Sequence, residues 1–441
     1  MLFNPDRVGG LPVEEGPSGP RANAPAPRGT VENSDGGAID RLVLLAINDI
    51  QEFWQQTYGK YLPGKFETVK TLISYDATDP SGPPVCGSYM YDRPNALFCF
   101  LRSVLAWDRG IFMPVAQQYF GDMAVVGVIA HEYGHAIQWM AGLVDMDTDG
   151  LVVEQQADCL AGVYLRFVAA GESPRFTLST GDGLNKVLAG AVYIRDEPSF
   201  GYFDDKHGNA LDRVSAFQMG FSGNVDQCAL IDRAEVEKRK GDLPRDIRIY
   251  DASATLDSPI DHDTLANLMR VLTEILQPAN PPTLTTEPRD CSTVVVKAPT
   301  AYCPASHRIY IDLNALQAAG EPKTEDEHQV LVQGDNTALS MVTSRYALAV
   351  EHERGVRIDT PIAALRTACL TGVAQAHMTE DKGVDFVLSP GDVDEAVAGL
   401  LTNGVVASDV NGRVAPAGFT RILAYRLGLS SGIDECFQRF S

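Results

Sequence analysis

The sequence lacks any apolar run long enough to cross a bilayer. A spanning helix needs about 20 apolar residues, and the longest run, 123–130 ("MAVVGVIA"), falls far short. The chain is also short of positive charge. Its 36 Lys and Arg face 58 Asp and Glu, a formal net charge of −22, and no basic patch stands out. Phosphate would be repelled, so no nucleic-acid partner is expected. The first ten residues, "MLFNPDRVGG", hold no signal-peptide apolar region.

What is present fits a folded soluble protein: 45% apolar and 21% charged residues over 441 positions. That length favours two or three domains. Residues 1–37 carry six prolines and seven glycines, which reads as a flexible or wrapping arm. The eight cysteines are compatible with disulfides or with reduced core thiols.

The chain is written twice. "ADCLAGVY" (157–164) lies over "TACLTGVA" (367–374), and "LSTGD" (178–182) over "LSPGD" (388–392). "RVSAFQMGFSGNVDQC" (213–228) matches "RILAYRLGLSSGIDEC" (421–436). "GDMAVVGVIAHEY" (121–133) parallels "GDNTALSMVTSRY" (334–346), and "CGSYMYDRPNALFC" (86–99) parallels "CSTVVVKAPTAYC" (291–303). Residues 40–54 have a counterpart at 261–275. An internal duplication is inferred, with copy one at 38–232, a connector at 233–249 and copy two at 250–441. The pairings that repeat in both copies are Cys86–Cys99 with Cys291–Cys303, and Cys159–Cys228 with Cys369–Cys436. Paired cysteines imply an oxidising compartment outside the cytosol.

Copy one contains "AHEYGHAIQ" (130–138) inside a helical pattern over 120–142. His131 and His135 are four residues apart, so they project from one helix face. Two imidazoles so placed can hold one Zn²⁺, with Glu132 beside them as general base. A catalytic zinc needs a third protein ligand and an open position. The next helical pattern, 150–171, offers Glu154, nineteen residues after His135. One turn on, Asp158 can accept the second N–H of a ligand histidine and fix its tautomer.

These residues resemble a known family. "HEYGHAIQ" followed by "EQQADCLAG" is similar to the bacterial neutral zinc metallopeptidases, zincins with H-E-x-x-H and a downstream E-x-x-x-D. The resemblance extends from about Asp40 to Cys228, through "KHGNALDR" (206–213) and the closing "DQC". It implies zinc ligation by His131, His135 and Glu154, Glu132 as general base, and Asp158 supporting a ligand histidine. Near the first cysteine pair, copy one ("FCFLRSVLAWD") departs from the family pattern more than copy two ("YCPASHRIYID") does. His207 is the candidate for an added oxyanion donor; copy two has Ala415 in its place.

In copy two, Ser344, Arg345 and Leu348 stand at the positions of His131, Glu132 and His135, and Ala364 and Ala368 at those of Glu154 and Asp158. Tyr133 persists as Tyr346, which marks it as a packing residue. The expected fold is α+β and mainly helical: a zincin-like domain followed by a degenerate copy. The expected function is extracytoplasmic, zinc-dependent cleavage of a peptide or protein substrate. In that reading the second domain is non-catalytic and free to engage a cell-envelope partner. The alternative is a non-enzymatic envelope scaffold or binding protein with structural or vestigial zinc.

Overall fold

The structure, a computed structural model, describes residues 4–196, 207–240, 257–291, 294–297, 299–324, 331–378, 383–389 and 391–441. It is α+β and mainly helical. The first half runs α1 (Ala38–Tyr61), β1 (Thr71–Tyr75), β2 (Ala96–Cys99), β3 (Val104–Asp108), α2 (Phe112–Phe120), α3 (Asp122–Ala141), α4 (Gly150–Ala169), α5 (Asp182–Tyr193), α6 (Ala210–Ser222) and α7 (Val225–Ala229). After α8 (Arg233–Lys240) come α9 (His262–Leu276), β4 (Thr283–Thr285), β5 (Thr300–Cys303), β6 (Arg308–Ile311) and α10 (Leu313–Ala319). The chain closes with α11 (Asp335–Glu353), α12 (Pro361–Ala376), α13 (Asp392–Leu401), α14 (Gly418–Leu429) and α15 (Ile433–Arg439).

The two halves share more than element order. In each, a small sheet places the third strand in the middle: β1-β3-β2 and β4-β6-β5. In each, the outer first strand is parallel to the central one and the second is antiparallel. In each, two helices cross with their backbones almost touching. A Cβ on Gly220 or on its counterpart Gly428 would come within 1.8 Å of the carbonyl oxygen of Cys159 or Cys369 respectively. Only glycine permits such a crossing of α4 with α6 and of α12 with α14. All eight cysteines are paired, as Cys86–Cys99, Cys159–Cys228, Cys291–Cys303 and Cys369–Cys436.

The structure adds detail to three expectations. The arm wraps onto the body. Gly19–Pro20 pairs antiparallel with Phe176–Thr177, Glu32 bridges Ile73 beside β1, and Val8 is fully buried. Arg7 O accepts from Thr420 Oγ1 at 3.3 Å, so the arm reaches the other half. The connector begins as a helix: α8 buries Val236 and bonds Arg239 to Gln155 of α4; residues 241–249 lie outside the described residues. The helical pattern over 120–142 breaks at Gly121, whose φ of 81° lets α2 end and α3 begin.

The cores are not separate either. The main apolar cluster holds Val126, Leu165 and Phe217 together with Leu365, Val397 and Phe419, and so crosses from one half to the other. Polar ties cross the same seam. Gln218 Nε2 donates to Phe419 O at 2.8 Å, Gly418 N to Asn185 Oδ1 at 2.8 Å, and Ala210 N to Asp394 Oδ1 at 2.9 Å. Arg195 Nε meets Asp394 Oδ2 at 3.1 Å, with both side chains buried. Among the described residues no helix is long and apolar enough to cross a membrane.

Candidate metal centre

The site stands where α3 and α4 cross. Gly134, inside the H-E-x-x-H segment, is the contact: a Cβ there would lie 3.0 Å from Ala157 O. The absent side chain lets α4 approach the histidine face closely enough for Glu154 and Asp158 to reach it. Asp149 starts α4 by accepting from Leu151 N at 3.0 Å, an ordinary N-cap that sets the register of both acids.

His131 and His135 turn their Nε2 atoms toward one carboxylate oxygen. Glu154 Oε2 lies 3.1 Å from His131 Nε2 and 3.5 Å from His135 Nε2. Their other ring nitrogens are occupied. His131 Nδ1 meets Asp158 Oδ1 at 2.8 Å, and His135 Nδ1 meets Gln138 Oε1 at 3.0 Å. Gln138 is itself held, donating to Val153 O at 2.7 Å and to Gln156 Oε1 at 3.0 Å. Asp158 is held by Arg213 Nη2 at 2.8 Å, and Arg213 Nη1 bonds Ile194 O at 2.9 Å. Each imidazole is thus fixed in orientation by a buried partner, as metal-ligating histidines require.

The donor set fits a zinc ion. Ligand atoms about 2.0–2.2 Å from one tetrahedral centre stand roughly 3.3–3.5 Å apart, and the observed 3.1 and 3.5 Å bracket that spacing. The electrostatics agree. Burial opposes a charge on His131, but Asp158 and Glu154 outweigh it and push its pKa up to about 10. Burial likewise opposes ionised Glu154, yet hydrogen bonds from the two histidines hold it well below the usual carboxylate range. Asp158 is held low by the Arg213 and His131 charges, against the same burial.

Glu132 is buried, makes no hydrogen bond to a described residue and faces the same pocket, where burial raises its pKa. That pocket has a volume of about 280 Å³. Its floor is His131, Glu132, His135 and Glu154, and one wall is residues 95–98 of β2 and its approach. Among the described residues no strand pairs with the outer edge of β2. His207 stands on the rim with its side chain 47% exposed. Its Nδ1 meets Asp196 Oδ1 at 2.9 Å, and its Nε2 is 3.9 Å from Glu154 Oε2. Residues 197–206, just before it, lie outside the described residues.

All six proposed site residues therefore converge: His131, Glu132, His135, Glu154, Asp158 and His207. Sequence reasoning missed Arg213, Gln138, Asp196 and the edge of β2. Arg213 had a visible signal, since it is the basic residue of "NALDR" and recurs as Arg421. Gln138 sits one turn beyond His135 but carries no motif, and an edge strand has no letter code.

At the equivalent place in the second half the interior is filled. Ser344, Leu348, Ala364 and Ala368 are fully buried. Arg345, at the position of Glu132, donates from Nη2 to Val405 O and to Ser408 Oγ, both at 2.9 Å. Tyr346 is fully buried and its hydroxyl pairs with Thr273 Oγ1 at 2.8 Å, the packing role expected for both Tyr346 and Tyr133.

Comparison with family models, curated proteins and solved structures returned no match for this chain.

Proposed function

We propose that the first half is a zinc-dependent endopeptidase acting outside the cytosol. In this reading the second half is a duplicated, non-catalytic copy. The observation that carries it is the convergence of two imidazole Nε2 atoms on Glu154 Oε2, at 3.1 and 3.5 Å, in an open pocket that also holds an unpartnered Glu132. A closed structural site would need a fourth protein ligand and no free acid.

A bound zinc would supply Lewis acidity and lower the pKa of a coordinated water. The chain's own residues do the rest. Glu132, raised by burial, accepts a proton from the attacking water and passes it to the leaving amine. Asp158, gripped by Arg213, keeps the His131 ring in place, and Gln138 does so for His135. The open edge of β2 offers backbone groups to an extended peptide, and the Cys86–Cys99 disulfide braces that strand's end. His207 stands at the rim, with Asp196 orienting its ring.

Four disulfides fit an oxidising environment, and we extend this to secretion or attachment at the cell envelope. Metal analysis of the purified chain, followed by a peptide-library digest with and without chelator, tests the proposal. Glu132→Gln should keep its zinc and lose cleavage. Cleavage that persists in this variant would overturn the mechanism, and cleavage indifferent to chelator would overturn the metal.

A further inference from the structure

A second group of metal-ligating side chains lies in the other half, at the start of α11. Asp257, Asp335 and Glu395 each bring a carboxylate oxygen within 4.8 Å of the others. Asp335 is 3% exposed and Glu395 7%. One oxygen of each is held by a backbone N–H. Ser258 N donates to Asp335 Oδ2 at 2.6 Å, Asn336 N to Glu395 Oε2 at 2.9 Å, and Asp335 N to Asp257 Oδ1 at 3.4 Å. These bonds orient the three carboxylates and leave an oxygen of each unused. Asp335 Oδ1 is the telling atom: it is buried and has no hydrogen-bond partner.

The backbone makes room for this arrangement. A Cβ on Gly334 would lie 2.1 Å from Glu395 Oε1 and 2.7 Å from Asp257 Oδ1, so any other residue would push the carboxylates apart. A fourth acid, Asp392, is buried beside them, its oxygens held by Ser389 N and Ser389 Oγ, each at 2.7 Å. Among the described residues no Lys, Arg or His forms an ion pair with any of the four. The N-termini of α11 and α13 together offset about one acid, because each helix end carries roughly half a positive charge. The group therefore calls for protons or for a cation.

The first half does not repeat it. The matching positions hold Asp122, Asp182 and the neutral Asn185, and Asn185 Oδ1 is already taken by Gly418 N. Asp257 also lines an open pocket of about 710 Å³.

We propose that Asp257, Asp335 and Glu395 form a second metal site, for a hard divalent cation and specifically Ca²⁺, that clamps α11 to α13 and to residues 257–258. An all-oxygen donor set suits Ca²⁺ or Mg²⁺ over zinc. Oxygens about 2.3–2.6 Å from one Ca²⁺ span up to roughly 5 Å, whereas Mg²⁺ at about 2.0–2.1 Å needs a tighter octahedron. The ligand oxygens, all within 4.8 Å of one another, fit inside the Ca²⁺ span. The site is independent of the peptidase reading.

The test is a titration of the full chain with CaCl₂ near neutral pH, read by calorimetry and by thermal unfolding. One Ca²⁺ should bind per chain, and the unfolding midpoint should rise by about 3 °C at one hundred times Kd. Asp335→Asn combined with Glu395→Gln should abolish binding, whereas His131→Ala should leave it intact. Should the double variant not fold, Asp257→Asn alone should weaken binding about tenfold or more with the far-UV spectrum unchanged. No binding up to about 10 mM, beyond the weakest extracellular Ca²⁺ modules, would overturn the site. So would Ca²⁺ binding that survives these substitutions, or stabilisation by mild acid with none from Ca²⁺.

Discussion

The two halves carry nearly the same frame around opposite interiors. Both have the same three-stranded topology, the same pair of disulfides and the same glycine-mediated crossing of two long helices. In the first half, that crossing surrounds a linked set of charges: His131, Glu154, Asp158 and Arg213. In the second, it surrounds Ser344, Leu348, Ala364 and Ala368. Glycines, cysteines and Tyr133 with Tyr346 therefore belong to folding, because both interiors keep them. The frame does not need the charges, because it stands without them in the second half. Arg421 is the exception that sharpens the point. It matches Arg213, but its carboxylate partner has become Ala368. Its Nε is buried without a hydrogen bond, and burial pushes its pKa down to about 10.

Four experiments press on this contrast, in descending order of expected effect. Substituting methionine at both arginines should separate the halves most. Arg213→Met leaves buried Asp158 with His131 as its one remaining cationic partner and should cost about 3–5 kcal/mol. Arg421→Met should be neutral or slightly stabilising in the same urea titration. Alanine at the crossing glycines should treat the halves alike. Gly220→Ala and Gly428→Ala should each lose about 3 kcal/mol, since each forces a methyl against a carbonyl; a large asymmetry would break the shared frame.

Third, His207→Ala should lower peptide turnover about 100-fold with zinc content unchanged, if His207 is an oxyanion donor. Full turnover would remove it from the reaction. The smallest effect concerns Asp394, the second-half acid that pairs with Arg195 and caps α6. Burial outweighs Arg195 and raises its pKa from 3.8 to about 6. The folded state binds this proton more tightly than the unfolded chain does. Its contribution is therefore full below about pH 4 and fades as pH rises through about 6. Unfolding measured across that window should slope downward in the wild type and flatten in Asp394→Asn, by on the order of 1–3 kcal/mol.

Much of the candidate site was legible because helical periodicity is a short-range rule. Spacings of four put His131 with His135 and Glu154 with Asp158 on shared faces whatever the rest of the chain does. The disulfides were legible for a different reason: two copies of one frame must repeat their pairings. Neither rule reaches Arg213, which arrives from α6 across 55 positions to bond Asp158. Nor does either show that the proline-rich arm finds strand partners at 176–177, where a few backbone hydrogen bonds decide its course.

By itself, then, the sequence determined the local terms of this protein: which residues share a helix face, where the frame repeats and which charges occur in one half only. Tertiary structure decided the terms that depend on distance. The 3.0 Å crossing at Gly134 brings Glu154 to the histidines, β2 is left with an open edge beside them, and Asp335 Oδ1 is buried among other carboxylates without a partner. The physical reason is that hydrogen bonding, Coulomb energy and desolvation act through space. Their outcome is settled only when elements far apart in the chain have packed.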